Sequence, residues 1–207
     1  MIRGVIFDLD GTLFDGDYDW PEIKRRLGVS RSGGTILDHL ESLPPEERER
    51  KERLLREFEE RATRHGTLKP GAVELLDFLR KKGVKLALVT NNNGSCAETI
   101  LQRYRLRFDL VQTRESGLFK PSGEALLRAA RGIGLDPGEL VAVGDNELDN
   151  RAAHEAGMAV VIIITQRSEK FDGRCDHVIR DLDQLRPILE RLLADAPPAT
   201  KPRPAAR

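Results

Sequence analysis

The chain has 207 residues and a mass of 23.2 kDa, enough for one domain with its own core or one domain carrying a small insertion. Lys plus Arg number 34 and Asp plus Glu 34, so the formal net charge is zero, and hydrophobic residues make up 39%. That composition is globular and lacks the basic excess with which a protein neutralises nucleic-acid phosphates. No apolar run reaches bilayer length, and Asp8 and Asp10 break the apolar N-terminus too early for a signal peptide. Cys96 and Cys175 form neither a disulfide framework nor a CxxC pair. The expectation is a cytoplasmic protein with no membrane or nucleic-acid partner, present as a monomer or homodimer.

In chain order, residues 3–9 are apolar and β-branched and predict a first strand. Residues 18–27 and 34–43 predict helices, and Pro44-Pro45 then punctuates the chain. Residues 45–65 predict a long helix that mixes Glu with Lys and Arg around a stripe of Leu54, Leu55, Phe58 and Ala62. Its charges are read as a solvated face laced with i,i+4 pairs. No strand is expected between Asp15 and Lys69. Strands at 84–89, 108–112, 140–143, 158–164 and 177–179 then alternate with helices at 72–82, 95–104, 123–132, 147–156 and 182–193. The helix at 72–82 is expected to bury Val73, Leu76 and Leu79, and Gly83, Gly134 and Gly157 stand where C-caps belong. Continuous apolar strands between amphipathic helices imply an α/β fold, a parallel sheet with helices on both faces. The expected domains are a core at 1–14 and 69–193, a helical insertion at 15–68, and a disordered Pro- and Ala-rich tail at 194–207.

Four short runs carry chemistry. Asp8, Leu9, Asp10, Gly11 and Thr12 follow the first strand directly. Carboxylates at i and i+2 on extended chain point the same way and crowd charge at the sheet's carboxyl edge, where open α/β sheets place their sites. A divalent cation or a splitting of the two pKa values would relieve that crowding. Thr90 and Asn91 end the second of the long strands, where a hydroxyl and backbone N–H groups can hold an anion. Lys120 precedes Pro121 ahead of a helix and can project an ammonium into the same edge. Gly144, Asp145, Asn146 and Asp149 follow the strand at 140–143 and add further carboxylates. Each run alone has a plainer reading: a turn for the first, helix N-caps for the second and fourth, and a solvated surface lysine for the third.

Together, in this order, the four runs resemble the motifs of the haloacid dehalogenase superfamily of aspartate-nucleophile phosphohydrolases. Lys69-Pro70-Gly71 and the stretch from Ala152 to Met158 add to the likeness. The resemblance covers roughly residues 1–14 and 69–185 and implies a three-layer α/β/α, Rossmann-like sheet, with the insertion as a helical cap. It implies that Asp8 attacks phosphorus and that Asp10 protonates the leaving alcohol and then deprotonates water. It further implies that Gly11, Thr12, Thr90 and Asn91 bind the phosphoryl group and that Lys120 neutralises charge. Mg²⁺ would lie on the Asp8 carboxylate, the Asp10 backbone carbonyl and Asp145, with Asn146 and Asp149 in support. Asn146 stands where the family often has serine, and Ser122 where a second proline is common.

The implied activity is hydrolysis of a small-molecule phosphate monoester, in the phosphoglycolate-phosphatase-like branch. A phosphosugar mutase is the runner-up within the superfamily, and a non-catalytic binding or regulatory relative is disfavoured because all the motif residues are present. Asp8 and Asp10 on the first strand disfavour a receiver domain. Arg31, between two helices of the insertion, is the candidate for reading a polar or anionic substrate group, against the ordinary reading of an exposed loop arginine. Tyr18 and Trp20 either pack the base of the insertion or line the substrate entrance. Cys96 reads as a packing thiol, and His39, His65, His154 and His177 lack metal-ligand spacing.

Overall fold

The computed structural model describes residues 1–30, 34–165 and 175–194. Arg31 and the tail from residue 195 onward lie outside the described residues. Six strands form one parallel sheet: β1 (Gly4–Phe7), β4 (Lys85–Val89), β5 (Leu110–Gln112), β6 (Leu140–Gly144), β7 (Val160–Ile164) and β8 (His177–Ile179). Their order is β5-β4-β1-β6-β7-β8. From β1 the chain winds first toward β4 and β5 and then returns to β6 on the other side. The reversal falls beside β1, the place where such sheets open a crevice at their carboxyl ends.

A period of two along the strands builds the two faces. Val5, Phe7, Leu86, Leu88, Val141, Val143, Ile162 and Ile164 share one apolar cluster. It is closed by α4 (Ala72–Lys81), α5 (Gly94–Tyr104) and α8 (Leu182–Ala194). Ile6, Ala87, Val89, Leu140, Ala142, Val161 and Ile163 point the opposite way, onto α6 (Gly123–Ile133) and α7 (Glu147–Glu155). Both faces are dry, which is why these strands read as unbroken apolar runs. Helix α4 differs from expectation at one position: Ala72, Leu75, Leu76 and Leu79 are its buried residues, and Val73 faces solvent.

Three helices lie between β1 and α4: α1 (Trp20–Leu27), α2 (Ile36–Glu41) and α3 (Pro45–His65). They bury their own cluster of Ile23, Leu27, Leu40 and Leu55, with Tyr18, Trp20, Leu54 and Phe58 packed against it. Contrary to expectation the insertion does begin and end in β structure. β2 (Phe14–Asp15) pairs antiparallel with β3 (Thr67–Leu68), so a two-stranded ribbon forms the neck of the helical insertion. Strands this short leave no alternation to read from sequence. A second departure concerns α3, whose charged run is not wholly solvated, because Glu59 is buried.

Ile162 is fully buried at a central position of the sheet, whereas Val73 is 39% exposed. Ile162→Ala is expected to lower the unfolding free energy by about 2–5 kcal/mol and Val73→Ala by about 0.5 kcal/mol or less, read from urea denaturation midpoints.

Candidate active site

Asp8 leaves β1 with its N–H donating to the Val143 carbonyl of β6 at 2.9 Å. The chain then closes a single tight turn, in which the Leu13 and Phe14 N–H groups both donate to the Leu9 carbonyl at 2.9 Å. Gly11 sits in this turn with φ of +85°, and a Cβ built there would stand 2.1 Å from the Asp145 Oδ2. Glycine therefore serves twice at this position, for its backbone conformation and for the approach of Asp145. At Gly144 only the close approach requires glycine, since the Asp149 Cβ would lie 2.2 Å from a Cβ at 144.

Lys120 organises the centre. Its ammonium is buried and donates to Asp8 Oδ1 at 2.5 Å and to Asp149 Oδ1 at 2.6 Å. Asn91 fixes the backbone of Lys120 from both sides: its Oδ1 accepts from the Lys120 N–H at 2.9 Å and its Nδ2 donates to the Lys120 carbonyl at 2.8 Å. The Asn91 side chain is thus committed to Lys120, and its N–H is what it can offer an anion. The other Asp8 oxygen, Oδ2, accepts from the fully buried Thr12 hydroxyl at 3.2 Å. The Thr90 hydroxyl, at the end of β4, accepts from the Asn92 N–H at 3.0 Å and keeps its own proton to donate.

Asn146 is the N-cap of α7, accepting from the Leu148 N–H at 2.8 Å, and its Nδ2 holds Asp145 Oδ1 at 2.6 Å. Asp149 completes that capping box: its Oδ2 accepts from the N–H groups of Asp145 and Asn146 at 3.2 and 3.3 Å. Ser122 opens α6 as an N-cap, so the departure at that position costs the helix nothing.

Carboxylate oxygens of Asp8, Asp145 and Asp149 can be chosen within 4.8 Å of one another. Three acids thus gather around one ammonium. Burial pushes the Asp8 and Asp145 carboxyls up, and the neighbouring acids push both further; Asp145 reaches about 8, while Lys120 pulls Asp8 part of the way back. The Lys120 ammonium is held well above its ordinary value, because Asp149 and Asp8 outweigh its burial. Lys120 pairs with Asp8 and Asp149, and one ammonium cannot balance three ionised carboxylates, so the cluster of Asp8, Asp145 and Asp149 carries surplus negative charge among the described residues. Hard oxygen donors with surplus charge fit a divalent cation of the magnesium kind.

Asp10 stands apart from this cluster. Its Oδ2 accepts from Asn92 Nδ2 at 2.9 Å, and its buried Oδ1 has no hydrogen-bond partner among the described residues. Burial raises its pKa to about 6, against the lowering effect of the Asn92 hydrogen bond. Asp8 and Asp10 are close in sequence yet keep separate partners, and that separation lets two neighbouring carboxyls hold different protonation states.

Sequence reasoning missed the layer beyond these residues. Asn93 caps α5 through the Cys96 N–H, and its Nδ2 donates to Glu59 Oε2 of α3 at 2.7 Å. Arg114 grips the same Glu59 carboxylate with both terminal guanidinium nitrogens, Nη2 to Oε2 at 3.0 Å. A signal was present, for Leu55, Glu59 and Ala62 follow i, i+4, i+7 spacing and put Glu59 on the helix face that the apolar stripe buries.

The comparisons with known proteins agree with this geometry. Residues 2–157 match the family model described as haloacid dehalogenase-like hydrolase. An uncharacterized hydrolase of Saccharomyces cerevisiae is 31% identical over 78% of this chain and 77% of its own length. A phosphoglycolate phosphatase of Chromobacterium violaceum is 29% identical over 78% of this chain and 85% of its own. The solved structure of a hydrolase from Pseudomonas syringae superposes with a TM-score of 0.75 at 27% identity, covering 94% of this chain and 100% of that one. The chain belongs to the haloacid dehalogenase-like hydrolase family. Within it the chain is an enzyme of the phosphatase type.

The raised carboxyls have a stability consequence. Unfolded, these groups titrate near 3.8; folded and metal-free, Asp10 titrates near 6 and Asp145 near 8. Folding then binds protons across that window, so stability is greatest below it and falls as pH rises through it. The metal-free protein is expected to lose melting temperature between about pH 4.5 and pH 8, and Asp145→Asn to flatten that slope, as followed by thermal denaturation in chelator.

Proposed function

We propose that this chain is a Mg²⁺-dependent phosphatase that hydrolyses a small-molecule phosphate monoester in the cytoplasm through an aspartyl phosphate on Asp8. The observation that carries the reading is the division of labour between the two acids. Asp8 is held by an ammonium and a hydroxyl at the end of the central strand, while Asp10 has one oxygen anchored by an amide and the other without a hydrogen-bond partner among the described residues. The first arrangement suits a nucleophile and the second a proton carrier.

In the proposed reaction an Asp8 oxygen attacks phosphorus and the bond from phosphorus to the alcohol oxygen breaks. Asp10 delivers its proton to that departing oxygen. Asp10 then takes a proton from water as the water attacks phosphorus, which releases phosphate and restores the Asp8 carboxylate. The Thr90 hydroxyl and the Asn91 N–H, with the Gly11–Thr12 turn alongside, hold the phosphoryl oxygens. Lys120 offsets their charge and is itself kept in place by Asn91 and Asp149. Asp8, Asp145 and the Asp10 backbone carbonyl would hold Mg²⁺, which supplies positive charge to a site with surplus carboxylates.

In this reading residues 1–14 and 69–193 form the catalytic core, and 15–68 cap it and exclude water. The relative named a phosphoglycolate phosphatase supports a small phosphorylated acid or alcohol as the substrate class.

The test is phosphate release from a panel of phosphorylated metabolites with Mg²⁺, with chelator, and with Asp8→Asn. Turnover is expected only with the metal, and Asp8→Asn is expected to lower it by about a thousandfold or more. Undiminished turnover in Asp8→Asn would remove Asp8 as nucleophile, and net isomerisation without phosphate release would make the protein a mutase.

A further inference from the structure

We propose that Asn92, with Tyr18 beside it, is a positioning residue for proton transfer: it anchors one oxygen of Asp10 and leaves the other turned to the leaving group. The inference rests on the phosphatase reading and adds to it two residues outside the four motif runs.

The Asn92 amide is fixed in one orientation. Its Oδ1 accepts from the Asn93 N–H at 2.8 Å and from Asn93 Nδ2 at 3.4 Å, which turns Nδ2 toward Asp10. Its backbone N–H is tied to the Thr90 hydroxyl, and the residue is buried. Nδ2 donates to Asp10 Oδ2 at 2.9 Å and also meets the Tyr18 hydroxyl at 3.3 Å. The Tyr18 ring stacks on Trp20 with centroids 4.5 Å apart, which holds its hydroxyl beside the Asn92 amide. Asp10 Oδ1 is left as a buried acceptor with no partner among the described residues.

A carboxyl with two equivalent free oxygens would present the wrong one half of the time. Here the amide occupies Oδ2, so the proton and the leaving oxygen meet at Oδ1. The chain of contacts continues from Asn92 through Asn93 to Glu59 of α3, itself clamped by Arg114. Tyr18 belongs to the cluster that the cap helices bury. The placement of the proton-transfer carboxyl is therefore set jointly by the α5 N-terminus and by the cap.

A positioning role has a signature that a packing role lacks. An alkyl phosphate needs its leaving oxygen protonated, whereas p-nitrophenolate departs without a proton. The parameter kcat/KM runs only to the departure of the alcohol, so later attack by water does not enter it. We would compare kcat/KM for p-nitrophenyl phosphate with that for the alkyl phosphate the wild type cleaves fastest among glycolate, glycerol and sugar phosphates. Asn92→Ala is expected to lower the alkyl value roughly 30-fold and the p-nitrophenyl value less than about threefold, with Asp10→Asn showing the same selectivity.

Tyr18→Phe keeps the ring on Trp20 and is expected to shift the ratio the same way by about fivefold, so it carries the test if Asn92→Ala does not fold. Equal losses on both esters, or no loss on either, would overturn the role, as would a wild type that cleaves p-nitrophenyl phosphate and no alkyl ester. A wild type that cleaves neither ester would instead overturn the phosphatase reading itself.

Discussion

One ammonium stands among three carboxylates, and the rest of the site is built around that imbalance. Lys120 joins Asp8 of the first strand to Asp149 of α7. In a buried setting each of those contacts is far stronger than in water, and each unpaired acid is correspondingly costly. The fold meets the cost by spending Asp149 on helix N–H groups and fixing the Lys120 backbone with Asn91. Three acids around one ammonium leave the cluster with surplus negative charge, a setting that suits a divalent cation.

Close approach is the second constraint. Asp145 and Asp149 reach the centre because Gly11 and Gly144 have no side chains in their way. The parallel sheet supplies the alignment: β1 lies between β4 and β6, so Asp8, Thr90 and Asp145 leave neighbouring strands at one edge. Asp10 is reached from another direction, by Asn92, whose amide also meets the Tyr18 hydroxyl. Asp8 is thus held by Lys120 and Thr12, while Asp10 is linked through Asn92 to Tyr18 of the inserted segment. Asn93, next to Asn92, contacts the buried Glu59 of α3, which Arg114 clamps, so this side of the site is linked to the inserted helices.

Much of this was legible in the residues. The strands are buried on both faces, so their apolar runs stand out, and the motif residues sit at their ends where turn chemistry is explicit. The ribbon of β2 and β3 escaped because each strand has only two residues. Glu59 escaped because one buried glutamate among many solvated ones differs only in helical phase. Asn92 and Asn93 escaped because an Asn run after a strand reads as a cap. Asn93 is one, but the amide of Asn92 turns toward a carboxyl 82 positions earlier in the chain, a contact that tertiary structure alone creates. Arg31 lies outside the described residues and keeps only its sequence-based reading.

The most direct test of Asp8 as the covalent centre is to quench the enzyme in acid during turnover, reduce it with borohydride and map the modified peptide by mass spectrometry. The expected result is a single modification at Asp8, present with Mg²⁺ and substrate and absent without either. Modification at Asp10 or Asp145 instead, or steady turnover with no covalent phosphate at any aspartate, would contradict the mechanism.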